Sequence, residues 1–105
     1  MRYKEDFEYI DKIKAGNKHA FGFLVEKYKD MVYSITLKIL KNPDDAKDVA
    51  QESFIKAFEK IDTFKKEAKF STWLYTLTYR SALYFKRLNK IESTELIQQG
   101  VEKEQ

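Results

Sequence analysis

From Phe70 to Lys90 the chain carries apolar side chains at the spacing of an α-helix. Trp73, Leu74, Leu77, Ser81, Tyr84 and Leu88 recur at three- and four-residue intervals, which lines them along one helical face. Ser71 is the expected N-cap, because its hydroxyl can accept from a free amide of the first turn. The opposite face holds Tyr75, Tyr79, Leu83, Lys86 and Lys90. A helix with one apolar face must bury it against other elements. A face that mixes rings and cations suits an anionic, ring-bearing partner.

The rest of the chain supplies further helices. Phe7, Ile10 and Ile13 repeat at helical spacing between Glu5 and Ala15, and Gly16 offers a left-handed stop. Asn17 can cap a second helix, with Ala20, Phe21, Leu24, Val25 and Tyr28 on one side. The pattern resumes with Met31, Val32, Ile35, Ile39 and Leu40 after Asp30, itself a candidate cap, so Lys29–Asp30 either breaks or bends this helix. Asn42-Pro43-Asp44-Asp45 marks a new start: Asn at the cap, Pro at the first helical position, and carboxylates at the positive end of the dipole. An apolar stripe follows through Ala46, Val49, Ala50, Ser53, Phe54, Ala57, Phe58 and Ile61. These signals imply an all-α protein, a compact bundle of about four helices. Its expected parts are an N-terminal helix (1–16), a main domain (17–90) and a polar linker or frayed tail (91–105).

Composition narrows the functions. The chain has 105 residues, three glycines, one proline and no cysteine, so neither a disulfide framework nor a thiolate metal site can form. No apolar run approaches the ~18 residues of a membrane-crossing helix, and no signal-peptide pattern opens the chain. A cytoplasmic protein is expected. His19 is the only histidine, and no nucleophile-elbow, phosphate-loop or dinucleotide glycine pattern occurs. Asp44, Asp48 and Glu52 could approach one cation, but without a second ligand cluster they read as dipole complementation on a solvated face. The chain is expected to be no enzyme and to use no cofactor.

Charge is divided along the chain. Pro43–Asp62 holds six acids (Asp44, Asp45, Asp48, Glu52, Glu59, Asp62) against three lysines. Thr63–Lys90 holds seven bases (Lys65, Lys66, Lys69, Arg80, Lys86, Arg87, Lys90) against Glu67. Such a division implies either two partners or two solvated faces. Opposite the apolar stripe of the acidic helix stand Asp48, Gln51, Glu52 and Glu59, with Ile55 among them. A lone apolar residue amid acids fits a protein-binding patch. On the residues alone, Tyr75 and Tyr79 are ordinary surface tyrosines, Trp73 belongs to the core, and Phe64 and Phe70 either pin a loop to the core or frame a site beside it.

Two motifs in order, DAKDVAQESFIKAF (Asp45–Phe58) and FSTWLY (Phe70–Tyr75), are separated by a lysine-bearing loop. Over Ala20–Asn89 the chain closely resembles region 2 of bacterial sigma-70-type factors, specifically the extracytoplasmic-function group. The resemblance implies a domain that binds core RNA polymerase and recognises and helps to melt the promoter −10 element. It implies that Asp48, Gln51, Glu52 and Ile55 dock on the clamp helices of the polymerase largest subunit. It implies that Phe64 to Phe70 frame a pocket for an extruded non-template base, with Lys65, Lys66 and Lys69 on nearby phosphates. Tyr75, Tyr79, Arg80, Lys86 and Arg87 would then meet DNA backbone and duplex edge. It leaves room for an anti-sigma factor as a further partner.

Departures from the family pattern sharpen these expectations. Thr76 and Leu77 stand where primary sigma factors carry a tryptophan wedge, which implies weak intrinsic melting. Arg80 and Tyr84 replace a common Asn and Asp, and Lys66 stands where Gly is common. The chain ends before any helix-turn-helix region that would read a −35 element, as an isolated region 2 would. The competing expectation is a helical protein–protein module that uses the Ile55 face and never touches nucleic acid.

Overall fold

A computed structural model describes the backbone of residues 2–100 and the side chains of residues 4–90. Helix α1 spans Arg2–Lys14, α2 Phe21–Leu40, α3 Pro43–Glu59 and α4 Phe70–Gly100, with 3-10 turns at Lys18–Ala20 and Ile61–Thr63. Helix α2 is central, packing against both α3 and α4, while α1 lies across α2 and the start of α4. The expected bundle of about four helices is what forms.

Local chemistry explains most boundaries. Gly16 takes φ +107° and ends α1, as expected of a residue without Cβ. The Asn42 side chain accepts from the Asp45 amide at 3.0 Å, with Pro43 in the first position of α3. Lys41 closes α2 in the left-handed region at φ 59°, donating its amide to the Leu37 carbonyl at 2.8 Å.

Two expectations are corrected, the caps at Asn17 and Ser71. Asn17 makes no side-chain cap bond; it precedes the 3-10 turn, and α2 begins only at Phe21. Lys29 and Asp30 lie inside an unbroken α2, because Leu24, Val32 and Ile35 share one buried face across them. Ser71 lies inside the first turn of α4, where the Lys69 carbonyl receives the Thr72 and Trp73 amides at 3.1 and 3.2 Å. Backbone helix also continues beyond Lys90 to Gly100, so the regular element outlasts its apolar periodicity; residues 101–105 lie outside the described residues.

The core is built from Ile10, Leu24, Val32, Ile61, Phe64, Phe70 and Leu74, all nearly excluded from solvent. Truncating such a residue to Ala typically costs about 2–5 kcal/mol. The inner seam of α3 is small: Ala46, Ala50, Ser53 and Ala57 are all buried. Small side chains let its backbone approach α2 closely, where the Thr36 hydroxyl donates to the Ala46 carbonyl at 2.9 Å. Ser53 bonds its own helix at the Val49 carbonyl, 2.7 Å away.

Helix α1 is fixed by a buried carboxylate. Asp6 is 1% exposed and is approached from α2 by two donors, the Lys27 ammonium at 2.7 Å and the Tyr28 hydroxyl. Burial pushes the Tyr28 hydroxyl up to about 12, and its hydrogen bond to the Asp6 carboxylate adds to the rise. Burial pulls Lys27 down, but the hydrogen bond and charge of Asp6 outweigh it, so the ammonium is held above its ordinary value.

Candidate nucleic-acid and polymerase interfaces

The outer face of α3 follows from helix geometry alone. With Ala46, Val49, Ala50, Ser53 and Ala57 buried, the residues opposite must face solvent. Asp48, Gln51, Glu52, Ile55 and Glu59 are all exposed, and Ile55 is 49% exposed. Asp48, Glu52 and Glu59 make no salt bridge among the described residues. No group of acids or histidines there could hold a metal ion. The patch is an unpaired acidic field around one apolar anchor. Such a field steers a basic partner, while the anchor supplies contact energy.

The loop between α3 and α4 is different. Its two aromatic ends are core residues: Phe64 is 3% and Phe70 1% exposed, and their rings meet edge to face at 5.8 Å. Trp73 packs on both, 5.4 Å from Phe64 and 5.6 Å from Phe70. Both phenylalanines thus pack into the core, and Phe64 also lines the cleft beside the loop. The Lys66 ammonium pairs with Asp11 of α1 and sits 5.7 Å over the Phe7 ring. The Lys66 φ of 63° is left-handed, which suits the glycine that the family resemblance led one to expect. Lys65 and Lys69 are exposed and make no ion pair among the described residues.

What the loop does form is one wall of a cleft of about 610 Å³. The end of α3 and the first turns of α4 form the others, and Lys56, Lys60, Lys65, Trp73, Arg80 and Tyr84 line it. Four cations thus face one carboxylate, Glu67, across a space walled partly by rings. Lys56 sits 6.0 Å over the Tyr84 ring. This arrangement can hold a phosphate at its rim and a flat aromatic group within.

The cleft unites only part of the expected set. Lys65 and Arg80 line it, together with an edge of Phe64; Lys69 does not. Tyr75 and Tyr79 stack at 6.3 Å with planes 8° apart and are 49% and 43% exposed. They border a second groove, about 410 Å³, with Met31, Ile35, Lys38 and Ile39 of α2. Lys86 and Arg87 are exposed further along α4.

Lys56 and Lys60 were not among the expected site residues, and Tyr84, expected on the apolar face of α4, is 55% exposed beside them. The signal was a Lys pair four residues apart on the flank of the α3 stripe, easily taken for cations complementing a helix C-terminus.

Comparison with known proteins gives this geometry a family. The family model for sigma-70 region 2 matches residues 24–91. The ECF RNA polymerase sigma factor SigW of Bacillus subtilis is 44% identical over 68 residues, covering 65% of this chain and 36% of that protein. RNA polymerase sigma-H factor of Pseudomonas aeruginosa is 33% identical over 82 residues, covering 78% and 42%. The ECF sigma-E factor of Escherichia coli K12 is 34% identical over 73 residues, covering 70% and 38%. The chain thus spans less than half the length of each of these relatives. An NMR structure of engineered region 2 of sigmaE in complex with GTAAAA superposes with a TM-score of 0.72 at 34% identity, covering 78% of this chain and 85% of that one. This chain therefore belongs to the sigma-70 region 2 family, within the extracytoplasmic-function sigma factors.

Proposed function

We propose that this chain is a non-enzymatic initiation module with two partners on two helices. The face of α3 carrying Asp48, Gln51, Glu52 and Ile55 docks on core RNA polymerase, at the clamp helices of its largest subunit. The cleft between α3, the loop and α4 accepts an unpaired base of the non-template −10 strand. Lys56, Lys60, Lys65 and Arg80 face the phosphates, and the ridge bearing Tyr79, Lys86 and Arg87 faces the adjoining DNA. The compartment is the cytoplasm, where polymerase works. Among the described residues no helix is long and apolar enough to cross a membrane.

The observation that carries this reading is the cleft itself, four cations beside half-buried Trp73 and exposed Tyr84 in a member of the sigma-70 region 2 family. Energetics bound its task. Opening a base-pair step forfeits roughly 1.4 kcal/mol of stacking, and stacking one base on an aromatic side chain returns about 1–3 kcal/mol. Capture therefore offsets one or two steps, and polymerase must supply the rest of the bubble. Thr76 and Leu77 in place of tryptophans fit that modest role.

The test is binding of single-stranded against duplex −10 DNA across a salt series. Single strands should bind more tightly, with a log–log slope near −0.7 per phosphate neutralised. Replacing Lys56, Lys60, Lys65 and Arg80 together with Gln should flatten that slope by about two to three units. Replacing Lys66 alone should leave it unchanged. Equal binding of duplex and single strand, or an unmoved slope in the quadruple variant, would place DNA elsewhere or nowhere on this chain.

A further inference from the structure

The loop that walls the cleft has little structure of its own. Among the described residues, Lys65 to Ala68 neither donate nor accept a backbone–backbone hydrogen bond, and Lys66 sits in the left-handed region. Such a segment keeps one conformation only when its surroundings over-determine it. The surroundings here are α1, which precedes the residues matched by the family model.

Four contacts cross from α1 to the loop. The Phe7 ring lies 6.0 Å from Phe64. The Lys14 ammonium donates to the Phe64 carbonyl at 2.7 Å, giving that acceptor a charged partner. The Asp11 carboxylate pairs with Lys66, whose ammonium also covers Phe7. Phe7, Asp11 and Lys14 are spaced four and three residues apart, so a single face of α1 presents all three. The helix itself is pinned to α2 by buried Asp6 under Lys27 and Tyr28.

We infer that α1 is a brace for the cleft, and that Asp11 and Lys14 are positioning residues that set which base it accepts. They touch no DNA. Lys14 holds the Phe64 carbonyl and Asp11 holds the Lys66 ammonium, on either side of Lys65, which lines the cleft with Trp73 and Arg80. This inference rests on the base-capture reading above.

The test uses the full chain and single-stranded hexamers: GTAAAA, which the sigmaE region 2 relative binds, and its single-base variants. Two quantities are measured, the ratio of tightest to weakest Kd across the hexamers and the backbone order parameters of residues 65–68. Lys14→Met should lower the ratio about three- to tenfold, and Asp11→Ala, which loses a half-exposed ion pair, about two- to fivefold. Each should lower the order parameters as well and leave the salt slope in place. The exchange Asp11→Lys with Lys66→Asp should restore both quantities. Unchanged ratio and order parameters in both single variants would overturn the inference, as would a lost ratio that the exchange fails to recover. If the unsubstituted chain shows no base preference while order parameters still fall and recover, the base-capture reading fails and the brace stands.

Discussion

The outer face of α3 and the loop before α4 carry the same kinds of residue, charges around an apolar member, yet they are determined in opposite ways. On α3 every side chain follows from the helical period: once Ala46 to Ala57 turn inward, Asp48, Glu52 and Ile55 must turn outward. In the loop, contacts from residues about fifty positions away decide each outcome. Lys14 reaches the Phe64 carbonyl, Asp11 takes Lys66, and the core takes both phenylalanines. Local rules place surfaces on helices. Long-range packing decides which loop residues remain available.

The sharpest break between the two regions should come from truncating their apolar members. Phe64→Ala removes a ring packed on Phe7, Phe70 and Trp73, and is expected to cost about 3–5 kcal/mol in a denaturant titration. Ile55→Ala, by contrast, should shift stability by less than about 0.5 kcal/mol while weakening polymerase binding by about 2 kcal/mol. A stability loss at Ile55 as large as that at Phe64 would erase the distinction.

A middle-sized effect is expected at the anchor of α1. Tyr28→Phe removes one donor from buried Asp6 and should cost about 1–3 kcal/mol. The same hydroxyl predicts a pH dependence. Its folded value, about 12, lies above the ordinary 10.0, so its contribution is fully present below pH 10 and lost as pH rises through about 12. Lys27 is shifted in the same direction. Alkaline unfolding curves should therefore flatten in Tyr28→Phe relative to the parent; coincident curves would mean that the Asp6 cluster does not govern this limb.

The smallest effect concerns Lys66. Substitution by Gly relieves a left-handed backbone, worth roughly 1 kcal/mol, and removes an ion pair worth about 0.2–1 kcal/mol. The two nearly cancel, so thermal stability should stay within about 0.5 kcal/mol of the parent. A larger loss would mean that the Asp11 pair outweighs the strain.

Against this background the reach of the sequence can be judged residue by residue. Asn42, Pro43 and Gly16 announced their boundaries because caps and stops act within a few residues. Ile55 announced itself because it broke a period. The charge division along the chain survives in part: acids stand on the back of α3, but Lys56 and Lys60 of the same segment join the cations of the cleft. Asn17 and Ser71 misled, because each has the right chemistry for a cap but chain entry is set by neighbouring packing. The packing of Lys66 and Phe64 could not be read without knowing that α1 folds back on the loop, nor that of Phe70 without the Tyr28 ring of α2. Lys56 and Lys60 join the cleft only because α4 crosses the end of α3.

The seam of Ala46, Ala50, Ser53 and Ala57 has one more consequence. Side chains this short bring α3 close against α2, and close-packed interiors resist rocking or sliding. Its outward face and its cationic end move only as one rigid body. In the proposed assembly that makes α3 a ruler: a surface seated on Ile55 and a strand lodged beside Lys56 and Lys60 are held apart by one helix width, roughly 10 Å. The gap between enzyme and promoter is then gauged by residues that touch neither.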